Sequence, residues 1–424
     1  MKSVKIHIKK LGAIRDSILE LKPLMIFSGE SGLGKSYAAF LVHYLYVLLL
    51  GERLHSFFDE KGYDFKRLLN KGKSGQVLFT VSKKELLAWM NKDAVAYVAY
   101  LIGHDGLEGE VEFDLPYKGD FFSFTYEDEL GGLDKNEEVF YKIKLNGFTY
   151  RILANSLDTT DVPFRALLGA ALLKDIFGDY LAIRRTFLMP PSRGALMELS
   201  ERPDFRSGMY EEFFEFKAAL NRPLKVPSVL SEELTECLYK VNEGKIQQVQ
   251  GNLIYETKEG HGMPLTAAAS SIKELAPFTL FLNKFSAADS SILLEEPEAH
   301  LHPQRQIRVA DLIGCAVSEG CHLQITTHSD YLIKRLNNLI KLYLLKFNEN
   351  KLDELHQLMD KWQIPNSYLI NPSRVGAYLL ERNPDGTSRI VEQDIFSDSE
   401  IPFESFYKVI EEDFQLSREI KNLW

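Results

Sequence analysis

Two short apolar runs that end abruptly in polar residues organise the chain. Leu24-Met25-Ile26-Phe27-Ser28 and Ser291-Ile292-Leu293-Leu294 each read as a strand covered on both faces, because such strands lack the polar alternation of a half-exposed one. Leu323-Gln324-Ile325-Thr326-Thr327 reads as a third strand, and residues 1–8 alternate like a strand without a signal-peptide core. Residues 40–50 predict a buried helix too short to span a bilayer, and residues 83–101 and 163–177 predict two more helices. Strands are expected at 121–126, 140–145 and 340–345, and residues 205–243 read as helical. Near the end, Val375–Leu380 and Ser388–Val391 flank the turn signal Asn383-Pro384-Asp385-Gly386 as a hairpin, and an amphipathic helix over 403–423 closes the chain. Strands interleaved with helices predict an α/β fold. Residues 57–180 are expected to form an inserted α+β lid or arm.

The first run leads into Gly29, Glu30, Ser31, Gly32, Leu33, Gly34, Lys35 and Ser36, the Gly-x4-Gly-Lys-Ser phosphate loop. Glycines let successive backbone N–H groups converge on an anion, Lys35 is suited to β- and γ-phosphate oxygens, and Ser36 offers a hydroxyl to Mg²⁺ at a helix start. The second run ends in Glu295-Glu296-Pro297-Glu298. Beside a phosphate loop, one carboxylate there holds magnesium and a neighbour can deprotonate the attacking water, so Glu295 takes the metal role and Glu296 the base role. A solvated acidic loop is the bland alternative.

After Glu298 come Ala299-His300-Leu301-His302-Pro303, a helix, the strand ending in Thr326-Thr327, and His328-Ser329. This order resembles the ABC-type ATPases, in particular the soluble OLD-like and SMC-like group, over residues 1–56 and 245–340. The resemblance implies an ABC-type P-loop ATPase with a mixed central sheet, using ATP and Mg²⁺, with His328 as the switch histidine at the γ-phosphate and residues 299–302 bordering a dimer interface. It divides the chain into a core part with the phosphate loop (1–56), the insertion (57–180), a core part with a helical subdomain, signature turn, acidic strand and switch histidine (181–340), and a C-terminal core part (341–424). The signature turn, which would contact the partner subunit's γ-phosphate, falls on Ser270 and Ser271. The usual Leu-Ser-Gly-Gly is missing, so the two serines share the role, or one of them is a plain helix cap. Leu188-Met189-Pro190-Pro191-Ser192-Arg193 is similar to a Pro-x-x-Arg segment of the OLD-like group, which assigns Arg193 no role.

Composition refines the picture. Three cysteines, Cys237, Cys315 and Cys321, lack metal-ligand spacing and suit a reducing compartment, so the expected location is the cytoplasm. His300 and His302 lack the spacing of zinc patterns and read as turn or interface residues. The net charge of −10 repels a phosphate backbone, which disfavours nucleic acid as partner unless Arg184-Arg185, Arg193 and Lys334-Arg335 gather into a local basic face. Between Asp105 and Glu138 acidic residues dominate, interleaved with Phe113, Tyr117, Phe121, Phe122, Phe124 and Tyr126. They predict either the outer positions of a sheet or a docking face for a basic partner. The resemblance implies a homodimer or higher homo-oligomer whose nucleotide cycle controls a separate effector, a nuclease or toxin, as in the Septu, PARIS and retron antiphage systems. Rival readings are a DNA-handling ATPase of the RecF or SMC kind and a transporter's nucleotide-binding subunit. The residues after 340 are too few for the nuclease domain that full OLD proteins append.

Overall fold

Parallel pairing explains the apolar runs. The structure, a computed structural model, describes residues 1–71, 74–129, 140–153, 161–199, 201–222, 230–249, 251–397, 399–402 and 405–423. Its contacts separate two units, one comprising Met1–Leu21, Phe40–Thr186 and Asp289–Ser291, the other Lys22–Ala39, Phe187–Ala288 and Ile292–Trp424.

In the second unit, strand Leu24–Gly29 lies between His322–Thr326 and Val375–Arg382, parallel to both, with Ile26 level with Ile325 on one side and Ala377 on the other. Paired along both edges, it has no solvent side, and Leu24, Met25, Ile26 and Phe27 are all buried. Outward from this strand, Ser290–Glu295 follows His322–Thr326, while Ser388–Glu392 follows Val375–Arg382. The last pair is antiparallel, closed by Asn383 N–H donating to Thr387 O at 2.8 Å and Thr387 N–H to Asp385 Oδ1 at 2.9 Å. The fold class is therefore α/β with a mixed sheet, as expected. Helices Pro303–Ser318, Asp330–Leu345 and Ser270–Lys284 cover it, with Leu312, Leu336, Leu339 and Phe281 in one core with Ile26, Ile292 and Ile325.

One expectation fails here. Residues 340–345 are not a strand but the last turns of helix Asp330–Leu345, begun by Ser329, whose Oγ accepts from Leu332 N–H at 3.0 Å. A short apolar run has no period of its own, and the buried spacing Leu332, Leu336, Leu339, Ile340 is helical. Within 205–243 the helices are Gly208–Asn221 and Glu232–Asn242, and 223–229 lie outside the described residues. They are followed by a three-stranded antiparallel sheet, Gly244–Val249, Asn252–Thr257 and Gly262–Pro264. The closing helix is Ser405–Leu423, and 403–404 are likewise outside the described residues.

His322, on the buried strand, has its pKa lowered to about 3, by burial first and then by the charge of Arg374. The unfolded chain takes up this proton near the ordinary value of 6.5, whereas the folded chain refuses it, so stability falls as the pH drops below about 6.5 and the loss stops growing near pH 3. By about pH 5, some 1.5 units below, His322 alone costs about 2 kcal/mol. Urea melts at about pH 7.5 and pH 5 should show a smaller acid loss for His322→Gln than for wild type. Equal losses would show that the imidazole is protonated in the fold.

In the first unit, Lys5–Leu11 pairs antiparallel with Ile14–Glu20 and with Gly109–Asp114. Lys9 sits 2.7 Å from both Glu110 and Glu112, and Lys10 is 2.7 Å from Glu108. Those acidic positions are thus the solvated face of a sheet, matched by lysines across the pair. A second antiparallel sheet orders Gln76–Ser82, Phe121–Glu129, Phe140–Leu145 and Phe148–Leu153. Its inner face stacks Phe79 on Phe124 at 4.7 Å, and Phe164 of helix Val162–Phe177 on Phe65 at 4.4 Å. The stretch 130–138 lies outside the described residues. Residues 57–180 fall within this unit. Cys237, Cys315 and Cys321 are buried and form no disulfide among the described residues. Among the described residues no single helix is long and apolar enough to cross a membrane.

Candidate functional site

The phosphate loop is shaped by its glycines. Gly29, at φ 125°, leaves a strand so close to its neighbour that an added Cβ would lie 2.5 Å from Leu380 O, a contact no side chain can make. Gly32 and Gly34 also have positive φ, at 79° and 98°. Ser388 Oγ donates to Leu33 O at 2.7 Å, pinning the loop to the hairpin strand. Lys35 opens helix Lys35–Leu49, and its Nζ folds back to donate to Gly29 O at 3.0 Å and Glu30 O at 2.8 Å. Burial lowers its pKa to about 8 against the opposing pull of Glu296, Glu298 and Glu295. All three carboxylates at the acidic strand end are thus near enough to favour the charge on this ammonium.

Strand Ser290–Glu295 is buried along its whole length and delivers Glu295 to the helix end of the loop, where its carboxyl bonds to the Ser36 hydroxyl. Burial raises the Glu295 pKa to about 7, countered chiefly by Ser36. Glu296, the next residue, has φ 43° and donates its N–H to Thr326 O at 3.0 Å. Such a backbone costs energy in a non-glycine residue and persists only where its surroundings enforce it. The side chain stays 42% exposed, open to water, with Oε1 3.8 Å from His328 Nε2.

His328 follows the strand His322–Thr326. Its Nδ1 lies 3.3 Å from Lys35 Nζ and its Nε2 3.5 Å from Ser31 Oγ. An ammonium only donates, so Nδ1 accepts and Nε2 carries the ring proton toward Ser31 and Glu296. Burial first, then Lys35, lowers its pKa, which keeps the ring neutral at pH 7.

Glu298 was given no role on sequence grounds, yet it builds this corner. Its Oε1 accepts from Thr327 Oγ1 and from His328 N–H, both at 2.7 Å, while Oε2 is buried without a partner and burial raises the pKa. The signal was its place in the acidic cluster; its partners, some thirty residues away in sequence, were hidden. His302 caps the following helix, accepting from Gln304 N–H at 3.4 Å, and His300 occupies the turn with φ 58°.

Ser31, Lys35, Ser36, Glu295, Glu296, Glu298 and His328 are thus brought together. Ser270 and Ser271 are not: among the described residues neither is hydrogen-bonded to the loop. They begin helix Ser270–Lys284, and Ala269 rather than a serine holds the cap position, so the plain-cap reading fails. Ser271 Oγ accepts from Arg305 Nη1 at 2.6 Å, and Arg305 Nη2 reaches Glu243 Oε2 at 2.6 Å. Among the described residues each basic pair has a carboxylate beside it. Arg184 and Arg185 lie against Asp289, Lys334 against Glu400 and Arg335 against Asp311, and Arg193 is buried.

Residues 201–333 match the family described as AAA ATPase domain, a segment that contains Ser270, Ser271, Glu295, Glu296 and His328. No curated protein matches the chain. Among solved structures, the SMC head domain from Thermotoga maritima is 12% identical, with a TM-score of 0.36, covering 93% of this chain and 100% of its own. The Pyrococcus furiosus Smc head domain with an extended coiled coil, bound to the C-terminal domain of ScpA, is 12% identical at TM-score 0.38, covering 96% and 98%. At scores this low the likeness fixes neither topology nor function. The chain is thus similar to an AAA ATPase domain over residues 201–333, and that segment supplies Glu295, Glu296 and His328 to the phosphate loop that holds Lys35 and Ser36.

Proposed function

We propose that this protein binds Mg-ATP at Gly29–Ser36, hydrolyses it between two copies of the chain, and uses the cycle to control a separate effector protein in antiviral defence. The observation that carries the reading is the convergence of Lys35, the Ser36–Glu295 pair, Glu296 and His328 within hydrogen-bonding or ion-pair reach of one another. Ser36 and Glu295 present hydroxyl and carboxylate oxygens, the hard donors magnesium prefers. Bound there, magnesium would neutralise charge on the β- and γ-phosphates. Lys35 and the loop N–H groups hold those phosphates. Glu296 takes a proton from the attacking water as the new oxygen–phosphorus bond forms and the bond to ADP breaks. Neutral His328 places its Nε2–H where it can donate to the γ-phosphate.

Two chains are required in this reading because the resemblance sets Ser270 and Ser271 against the partner's nucleotide, and among the described residues neither is hydrogen-bonded to its own loop. The effector and antiviral parts rest on the resemblance of the Glu295–His302 stretch and His328 to the OLD-like group. A nuclease or toxin gene beside this one would support them, and repair genes would favour the DNA-handling rival. That rival is weakened by the carboxylate-paired arginines and lysines described above.

The nucleotide site is tested by thermal melts with and without Mg-ATP. At a hundredfold excess over Kd the wild type gains about 2.7 kcal/mol by mass action. Lys35→Ala should fold but gain nothing, since the ammonium is held for charge. An equal gain in both would show that nucleotide binds without Lys35.

A further inference from the structure

Arg193 is the largest fully buried side chain among the described residues, at 1% exposure, and lies in the Pro-x-x-Arg segment that the ATP site leaves unexplained. A buried guanidinium survives only if its N–H groups are satisfied. Nη1 donates to Glu295 O at 2.8 Å and more weakly to Pro190 O at 3.4 Å, while Nε donates to Glu274 O at 3.0 Å. One side chain thus joins its own loop, the end of the acidic strand and the first turns of the helix that begins with Ser270 and Ser271. The loop is bent to allow it: Ser192 has φ 58°, and Gly194 packs so closely on that helix that an added Cβ would lie 2.9 Å from Glu274 N and from Lys273 C. The Glu274 carboxylate is buried alongside, its Oε2 4.0 Å from Arg193 Nε and without a hydrogen-bond partner.

The bond to Glu295 O has a particular consequence. The peptide joining Glu295 to Glu296 is held on its carbonyl side by Arg193 and on its N–H side by Thr326 O, at 3.0 Å. Clamped on both faces, it keeps Glu296 at φ 43° and sets the directions in which both carboxylates leave the chain.

We infer that Arg193 is a positioning residue that fixes the Glu295–Glu296 peptide and couples it to the helix bearing Ser270 and Ser271, so that nucleotide in the phosphate loop is felt at that helix. The inference rests on the Mg-ATP reading above. Arg193→Met removes the donors but also leaves the buried Glu274 carboxylate without its cation, so it is made together with Glu274→Gln, and Gly194→Ala pries the same joint open while keeping the guanidinium. Both should leave ADP affinity near that of wild type and lower kcat roughly tenfold or more, since small misplacements of catalytic groups cost that much. Hydrogen exchange with Mg-ADP separates positioning from plain structural support. In wild type, nucleotide should slow exchange at residues 35–39 and also at residues 270–284. In Arg193→Met the first slowing should persist and the second disappear. Wild type with slowing at 35–39 alone would overturn the coupling and leave the nucleotide site standing; slowing at neither would bring down both. Arg193→Met with wild-type kcat and both effects would overturn the inference, and if that variant fails to fold, the same pattern in Gly194→Ala decides.

Discussion

Replacing Glu296 with Gln should lower ATP turnover roughly 10²-fold or more, about 2.7 kcal/mol in the barrier, while ATP binding stays near wild type. The amide keeps the shape and the strained backbone, which is held by Thr326 and Arg193 rather than by the carboxylate, but it cannot take the water's proton. Of the three glutamates at this strand end, Glu295 is buried and Glu298 half-buried, and both are already bonded, to Ser36 and to Thr327 with His328 respectively. Glu296 is the exposed one, with room for water at its oxygens. The variant should therefore accumulate in the ATP-bound state. Single-turnover rates equal to wild type would remove Glu296 from the role of base.

Replacing Ser271 with Arg should abolish hydrolysis and ATP-dependent association while leaving nucleotide binding to the isolated chain intact. Ser271 lies at the first turn of its helix, and its hydroxyl accepts from Arg305 rather than bonding to its own phosphate loop. A second guanidinium there would crowd and repel Arg305 and would stand where a partner's phosphate-bearing surface must close. The binding half of the site, Gly29–Ser36, would not sense it. Loss of ATP binding by the isolated variant would show that Ser271 belongs to the cis site, against the two-chain reading.

The phosphate loop and the acidic strand were legible because their constraints are local. Positive φ at Gly29, Gly32 and Gly34 demands glycine, and a strand without a solvent side must be apolar throughout. Illegible parts were settled by distant partners. Glu298 acquires its role from Thr327 and His328, and Arg193 from three carbonyls in separate segments. The basic residues that could have formed a nucleic-acid face are each tied to a carboxylate or buried, which no spacing rule reveals. Residues 340–345 were misread because a short, mostly apolar run suits either element until the cap at Ser329 fixes the helix.

The central claim, that an ATP site is completed only by two chains, is tested most directly by mixing two inactive variants. Lys35→Ala cannot hold nucleotide but has an intact Ser270–Ser271 turn, and Ser271→Arg has the converse defect, so their heterodimer contains one site assembled from sound halves. The account predicts no ATPase activity from either variant alone and recovered activity in the mixture, with dimers seen by light scattering only when Mg-ATP is present. Full activity of Ser271→Arg alone, or hydrolysis by a wild-type protein that light scattering shows to remain monomeric, would contradict it.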